Sequence, residues 1–552
     1  MKLCKIALAV AAIAAACSTQ AQVAADTAAP AQNLSGLGLA AADQTVLSGL
    51  MNDKNYISVS GASAVQAGFE KLVTSLLTNP TYYIDAASST KGKNITGANY
   101  IAVAGKLINP TTNLNAGTAV VVLYRVAGGS YNGVYPVIRR TAIAALDVTN
   151  CSTSIGHGTS TSPYSCALND PAAAGSGLVP DAGISDVEPK FFAAPANLEG
   201  ETTPQAVSAA ELATITATPM YAAAFGFPLS ASLSSGVTIS RPTYAAIMAG
   251  AINNWSKVPG ALPSDAGPIV ICRRIPGSGT QALTNLFAAN TGCTTAAGTT
   301  ASRTFGGKVY ATTVGRVVGG VAQSNPSYDA TVVANNADGV IVIENNASGD
   351  VRSCMDAAAH GGSYTTLDRS SNKSLTVNFG NGGYKAIGVL SEDSLANSVS
   401  ATSSNKVGTY AIGVANGLWQ FRAFNGSGTV TNDELGGLTA ANPASGAAVG
   451  PTYTNGTGML PTLANIQSGE WPLTTYESFN VLSSLTGDKA DLANQMLAAA
   501  QSPDVLRTIS ALSYNALALP DLITNNTTTA GDVNVMHAAS GTGLCGPVVL
   551  KY

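Results

Sequence analysis

Charge is scarce in this chain. Only 11% of its 552 residues are Asp, Glu, Lys or Arg, against roughly 25% in ordinary soluble domains. The 27 basic and 31 acidic side chains nearly cancel, leaving a net charge of −4. No basic patch stands out, which argues against a nucleic-acid partner. The three histidines, His157, His360 and His537, lie far apart and have no metal-site spacing. No Cys-x-x-Cys pair accompanies them, so a zinc centre is not supported. Aromatic residues make up 6%, with three tryptophans, Trp255, Trp419 and Trp471. These read as packing residues rather than as a stacking box. No Gly-Lys-Ser/Thr follows a glycine loop, which excludes a nucleotide P-loop. A Gly-x-Ser-x-Gly elbow around Ser278 would need glycine at 276 and 280, where Pro276 and Thr280 stand. With no activated nucleophile and no metal cluster, the chain does not read as an enzyme, and no cofactor is called for.

Gly, Ala, Ser, Thr and Asn take the place of charge, giving a hydroxyl-rich surface with many turns. The chain is too long for one small core, so two or more domains are expected. At the N-terminus Lys2 and Lys5 precede an apolar run, Ile6 to Ala16, and Thr19-Gln20-Ala21 suits cleavage. Residues 1–21 therefore read as a signal peptide and place the chain in the periplasm or outside the cell. Cys17 offers a lipoprotein anchor as the weaker reading, because Ala14 stands where leucine is usual. Later runs fall short of the roughly 20 apolar residues a membrane helix needs, so no transmembrane segment is expected in the mature chain. Beyond Cys4 and Cys17 six cysteines remain: Cys151, Cys166, Cys272, Cys293, Cys354 and Cys545. An even number in an exported chain favours disulfides. Proximity in sequence favours Cys151–Cys166 and Cys272–Cys293, leaving Cys354–Cys545.

Residues 22–54, rich in Ala, Gln and Asp, read as a flexible lead-in. Tyr56 to Ser60 then reads as a strand, and Val65, Phe69, Leu72, Val73 and Leu76 as one helix face. Ala119 to Tyr124 is a second buried strand, ending in Gly128-Gly129-Ser130. A Ser/Thr/Gly-rich insert over 145–180 holds Cys151 and Cys166. The polar stretch near 363–382 reads as a hairpin, and Asp488 to Leu497 as a helix opening on an acid. Strands that alternate with helices predict an α/β architecture with largely parallel sheets.

The most informative stretch is Arg273-Arg274-Ile275-Pro276-Gly277-Ser278-Gly279-Thr280. It follows the apolar run Ile269-Val270-Ile271-Cys272 and precedes a helical pattern carrying Leu283, Leu286 and Phe287. Backbone N–H groups at such a strand-to-helix turn form an anion site. The arginine and two hydroxyls add donors. Arg273, the other arginine on the strand, faces the opposite way, toward solvent or an acid. Three more turns share this logic: Ser63 after the first strand, Ser130 after the second, and Asp186 in a Ser-Asp turn. In open α/β sheets ligands collect at the carboxyl ends of strands.

Together these turns resemble the phosphate-binding proteins of bacterial phosphate ABC transporters, which have the type II periplasmic-binding-protein fold. Gly61-Ala62-Ser63-Ala64 resembles the first phosphate loop, and Gly128 through Gly133 the Gly-Ser-rich second loop. Ile184-Ser185-Asp186 resembles the Ser-Asp element, and Arg274 through Thr280 the Arg-x-x-Gly-Ser-Gly-Thr signature. Ile247 to Trp255 and Asn465 to Leu473 are similar to flanking segments of the family. The likeness spans about residues 56–520, interrupted by insertions. It implies a two-lobed fold with a hinge, one lobe from 55–227 plus 391–552 and the other from 228–390. It implies inorganic phosphate between the lobes, with an inner-membrane ABC permease as a further partner. Ser63, Ser130, Ser278, Gly279 and Thr280 would donate hydrogen bonds, Arg274 would supply a charge-assisted bond, and Asp186 would accept the ligand's proton. Two departures stand out: Pro276 replaces the acid that often orients the arginine, and Ala64 replaces the usual aromatic after the first hydroxyl.

Overall fold

The computed structural model describes residues 41–152, 156–173, 175–198, 206–275, 277–289, 340–368, 373–391 and 473–502, with short pieces elsewhere. Residues 1–21, read above as a signal peptide, with Cys17, as well as Pro276, Cys293, Cys545 and most of the segment Asn465 to Leu473, lie outside the described residues.

The chain begins with helix α1 (Ala41–Asn52), then β1 (Tyr56–Gly61), α2 (Gln66–Thr74), β2 (Leu77–Asp85), β3 (Tyr100–Leu107) and β4 (Ala119–Arg125). The next strands are β5 (Ala145–Cys151), β6 (Tyr164–Asn169), β7 (Ala182–Ser185) and the long β8 (Ile215–Ser230). Helix α3 (Arg241–Met248) leads to β9 (Ile269–Arg274) and α4 (Gly279–Ala289). Strand β10 (Val340–Asn345) hands over to α5 (Ser348–His360), followed by the hairpin β11 (Ser363–Asp368) and β12 (Lys373–Asn378). The remaining elements used below are β13 (Lys385–Gly388), β14 (Trp419–Arg422), β15 (Thr474–Leu482) and α6 (Asp488–Gln501).

Except for the hairpin β11–β12, these strands join one mixed sheet. Its path runs β10, β9, β13, β8, β15, β7, β1, β4, β3, β2, β6, β5, with β14 paired to β8 off the path. β1 lies parallel to both β4 and β7, and β9 parallel to both β10 and β13. All six residues of β9 and of β10 are buried, as expected of parallel strands covered on both faces. β8 and β15 link two halves of this sheet. Residues 215–224 of β8 pair with β15, which also pairs with β7. Residues 225–230 pair instead with Leu390–Ser391, β13 and β14. Residues 419–422 therefore lie beside the β9–β10–β13 half of the sheet.

Each half has its own apolar filling. Ile57, Val59, Phe69, Leu72 and Met496 pack under α2 and α6. Val270, Ile341, Val351, Met355 and Trp419 pack under α5. A third cluster, with Phe191, Phe225, Phe227, Leu283 and Trp471, fills the space around β8. The three tryptophans are all within 1% of full burial, in keeping with packing roles. Trp471 Nε1 donates to Phe225 O at 2.7 Å and Trp255 Nε1 to Lys385 O at 2.8 Å.

Three expectations are corrected. The sheet is mixed rather than largely parallel, because β2–β3–β4, β5–β6 and the pairs made by β8 and β15 are antiparallel. Residues 41–52, read as part of a flexible lead-in, form α1. Val46, Leu47 and Leu50 give that helix an apolar face, and Leu47 and Leu50 are buried beside Val121, Leu123 and Leu146. The disulfide expectation holds for Cys151–Cys166, which clamps β5 to β6. It fails for Cys272, whose partner is Cys354 rather than Cys293, so Cys354 is not left for Cys545 either. The reason is packing: α5 lies on the face of the sheet where Cys272 points, among Val270, Ile341, Val351 and Met355. Proximity in space overrides proximity along the chain.

Candidate functional site

Five turns leave the carboxyl ends of parallel strands and meet between the two halves of the sheet. On one side are the turns after β1, β4 and β7, which carry Ser63, Ser130 and Asp186. On the other are those after β9 and β10, which carry Arg274 to Thr280 and Asn346 to Ser348. The first group is drawn together by three glycines. A Cβ on Gly61 would sit 1.9 Å from Ile184 O, on Gly133 2.1 Å from Ile184 O, and on Gly183 1.9 Å from Gly133 O. Only backbone without side chains allows β1, the Ser130 turn and β7 to approach this closely.

Arg274 is 2% exposed. Its Nη1 donates to Ser63 Oγ at 3.0 Å and to Ser348 Oγ at 3.3 Å, and its Nη2 to Asn346 O at 2.8 Å. These contacts fix the guanidinium without an acid at position 276. Arg273 turns the other way, where its Nε lies 3.7 Å from Glu344 Oε1. Ala64 is 1% exposed and joins the apolar cluster of Tyr131 and Val187.

Asp186 is 1% exposed. Its N–H donates to Ser130 Oγ at 3.1 Å, while its Oδ2 accepts from Thr280 N at 3.0 Å and Thr280 Oγ1 at 3.1 Å. The carboxylate thus sits on the amino end of α4, where the helix dipole favours negative charge. Its other oxygen, Oδ1, is buried and accepts no hydrogen bond among the described residues. Burial pushes the Asp186 pKa above its ordinary value; the charge of Arg274 and the bonds from Thr280 and Ser130 oppose that shift. Ser278 is fully buried. At Gly279 a Cβ would lie 2.5 Å from Ser130 Oγ and 2.8 Å from Asp186 Cβ, so this turn touches both of the facing turns. Tyr131 N donates to Gly277 O at 2.7 Å across the same gap.

All seven residues singled out in the sequence therefore belong to one connected cluster. Ser348 and the Asn346 carbonyl were not among them. The signal was present: Asn345-Asn346-Ala347-Ser348-Gly349-Asp350 follows the apolar run Val340 to Ile343 as the other four turns follow theirs. Among the described residues no group of His, Cys, Asp and Glu could hold a metal ion, and no helix is long and apolar enough to cross a membrane.

An α/β sheet whose strand-end turns converge between two halves is the arrangement of a solute-binding cleft. A family model described as a PBP superfamily domain matches residues 202–516. The chain belongs to that superfamily of binding proteins. Solved structures similar to it include a Clostridium perfringens protein assigned as a phosphate ABC transporter substrate-binding protein, with phosphate bound. That pair shares 10% identity over 84% of this chain and 99% of the other, at a TM-score of 0.37. An ABC-type phosphate transport receptor from Vibrio cholerae matches at 10% identity over 84% and 99%, at a TM-score of 0.34. A phosphate-binding protein from Stenotrophomonas maltophilia matches at 14% identity over 77% and 78%, at a TM-score of 0.30. No curated protein sequence matches the chain.

Proposed function

We propose that this chain is an exported solute-binding protein that holds inorganic phosphate between its two halves, for delivery to an ABC-type permease. The observation that carries this reading is Asp186 Oδ1, a buried acceptor with no donor among the described residues, in a cluster built around a buried arginine. Hydrogen phosphate carries both an anionic face for Arg274 and a proton for Asp186. On this reading Ser63, Ser130, Ser278, Gly279 and Thr280 donate to the ligand oxygens, Arg274 adds the charge-assisted bond, and Asp186 accepts the ligand's proton. Sulfate has no proton to give, so its oxygens would meet the carboxylate as like charges in a buried site. β8, which passes from one half to the other, would serve in the hinge between a lobe built on 55–227 plus 391–552 and one built on 228–390.

Calorimetry on refolded, phosphate-stripped protein tests the reading. Phosphate should bind and sulfate should not. An absence of phosphate heat, or equal binding of both anions, rejects it.

A second reading is a secreted or surface structural protein that reuses the fold. It is favoured by the present pairing of the site's donors: Arg274 with Ser63, Ser348 and Asn346, and Thr280 with Asp186. Those bonds latch the two halves with protein groups alone. Fractionation separates the readings, since a soluble periplasmic pool supports transport and outer-surface material supports the structural role.

A further inference from the structure

A small cavity of about 40 Å³ opens beside the cluster, where the first turn, the turn containing Lys93 and the start of α5 meet. Ser63, Gln66, Lys93, Ser348, Asp350 and Arg352 are among its lining residues. The space is wide enough to admit water, so its hydroxyls can be reached by the polar edge of a small anion. Its floor is the Ser63 and Ser348 hydroxyl pair, 3.4 Å apart, and behind that pair stands Arg274 Nη1.

The charges in the lining favour an anion. Lys93 and Arg352 are both partly exposed. The one acid in the lining among the described residues, Asp350, accepts from Ala347 N at 3.1 Å and so caps the start of α5. Gln66 Nε2 donates to Ile95 O at 3.2 Å and Ala98 O at 2.6 Å, which pins the Lys93 turn against α2. The cations are thus presented by anchored elements, and Lys93 belongs to none of the turns assigned to the phosphate cluster.

We propose that this cavity is an outer oxyanion station, where phosphate docks on Lys93, Arg352 and the two hydroxyls before Arg274 draws it inward. The identity of the anion rests on the phosphate reading above; the station itself rests on the cavity and its charges. Ser63 and Ser348 serve both positions, and the anion moves inward as Arg274 exchanges its serine contacts for ligand oxygens. An excess of positive charge around a narrow opening speeds anion capture in a salt-dependent way.

The test is stopped-flow tryptophan fluorescence with inorganic phosphate, on the unsubstituted protein and on Lys93→Gln and Lys93→Gln/Arg352→Gln, each at low and high salt. The substitutions should slow association about tenfold at low salt and flatten its salt dependence, while the preference for phosphate over sulfate stays. Ser348→Ala should weaken binding about tenfold, and Ser348→Thr, which keeps the hydroxyl, should restore it. Unchanged association and salt slope in Lys93→Gln and in the double variant would overturn the station. If Arg274→Ala still abolishes binding in that case, the phosphate reading stands alone. If the unsubstituted protein binds no phosphate, both fall.

Discussion

A methyl group on Gly279 would lie 2.5 Å from the Ser130 hydroxyl and 2.8 Å from Asp186 Cβ. The hydroxyl can rotate away, but Asp186 Cβ and Ser130 Cβ at 3.0 Å move only with their backbone, so Gly279→Ala should force the Arg274 turn away from the two turns facing it. Phosphate affinity should fall by at least about tenfold, read by calorimetry, because the donors on both sides lose their common focus. Glu188, two residues past Asp186 and 6% exposed, gives a prediction that needs no ligand. Burial pushes its carboxyl from 4.5 up to about 8, with Lys190 pulling weakly the other way. An acid raised in the folded state holds its proton where the unfolded chain has lost it. The folded state is therefore progressively disfavoured as pH rises from about 4.5 to about 8, by up to about 5 kcal/mol. Glu188→Gln should flatten that dependence and be the more stable protein at pH 8, as chemical denaturation at pH 5 and pH 8 would show. The cluster's residues were legible in the sequence because each sits in a Gly- or Ser-marked turn directly after an apolar run. Ser348 sits in such a turn as well, but its neighbours are asparagines and alanine, and one hydroxyl there could not be told from an ordinary helix start.

Strand β9 and helix α5 are stapled by Cys272–Cys354, which are 82 residues apart, whereas Cys151–Cys166 closes only 15. Loop-closure entropy makes the longer link the stronger, about 4.5 kcal/mol against about 3 kcal/mol. Cys272→Ala/Cys354→Ala should therefore lower the unfolding midpoint more than Cys151→Ala/Cys166→Ala. Equal losses in denaturant titrations would contradict that ordering. The short pair was legible because β5 and β6 form a local hairpin. The long pair was not, because it depends on which face of the sheet α5 covers, a tertiary fact that linear spacing does not carry. Helix α1 was not legible for a related reason. Its sequence, AADQTVLSGLMN, has a weak apolar stripe, and only burial of Leu47 and Leu50 against the β4–β5 side reveals its purpose. Strongly patterned elements such as β1, β4 and α2 were legible because their periodicity alone defines a buried face. The hairpin at 363–368 and 373–378 was equally plain from its polar Gly/Asn-rich composition.

The two halves of the molecule are joined in two ways: by the long strand β8, which runs through both, and by polar contacts across the cleft. A continuous strand survives small rotations, whereas the Arg274–Ser63 and Asp186–Thr280 bonds do not. A ligand that replaces these contacts with its own must therefore act on the stability of the whole fold. Binding to the native state alone adds about 2.7 kcal/mol when free ligand reaches 100 times its dissociation constant. Phosphate at that excess should raise the thermal midpoint, and sulfate at the same concentration should leave it unchanged. Arg274→Ala should abolish the phosphate shift and also lower the midpoint of the ligand-free protein, because it removes bonds to Ser63, Ser348 and Asn346. Asp186→Asn should behave differently. It removes the like-charge repulsion of sulfate while leaving Arg274 in place, so phosphate and sulfate should now shift the midpoint alike. A purely structural latch predicts another pattern: both substitutions lower the ligand-free midpoint, and neither anion moves it in any of the three proteins. One set of melting curves thus separates a phosphate-binding cleft from a clamp, because only the cleft makes the Arg274 and Asp186 variants differ in their response to the two anions.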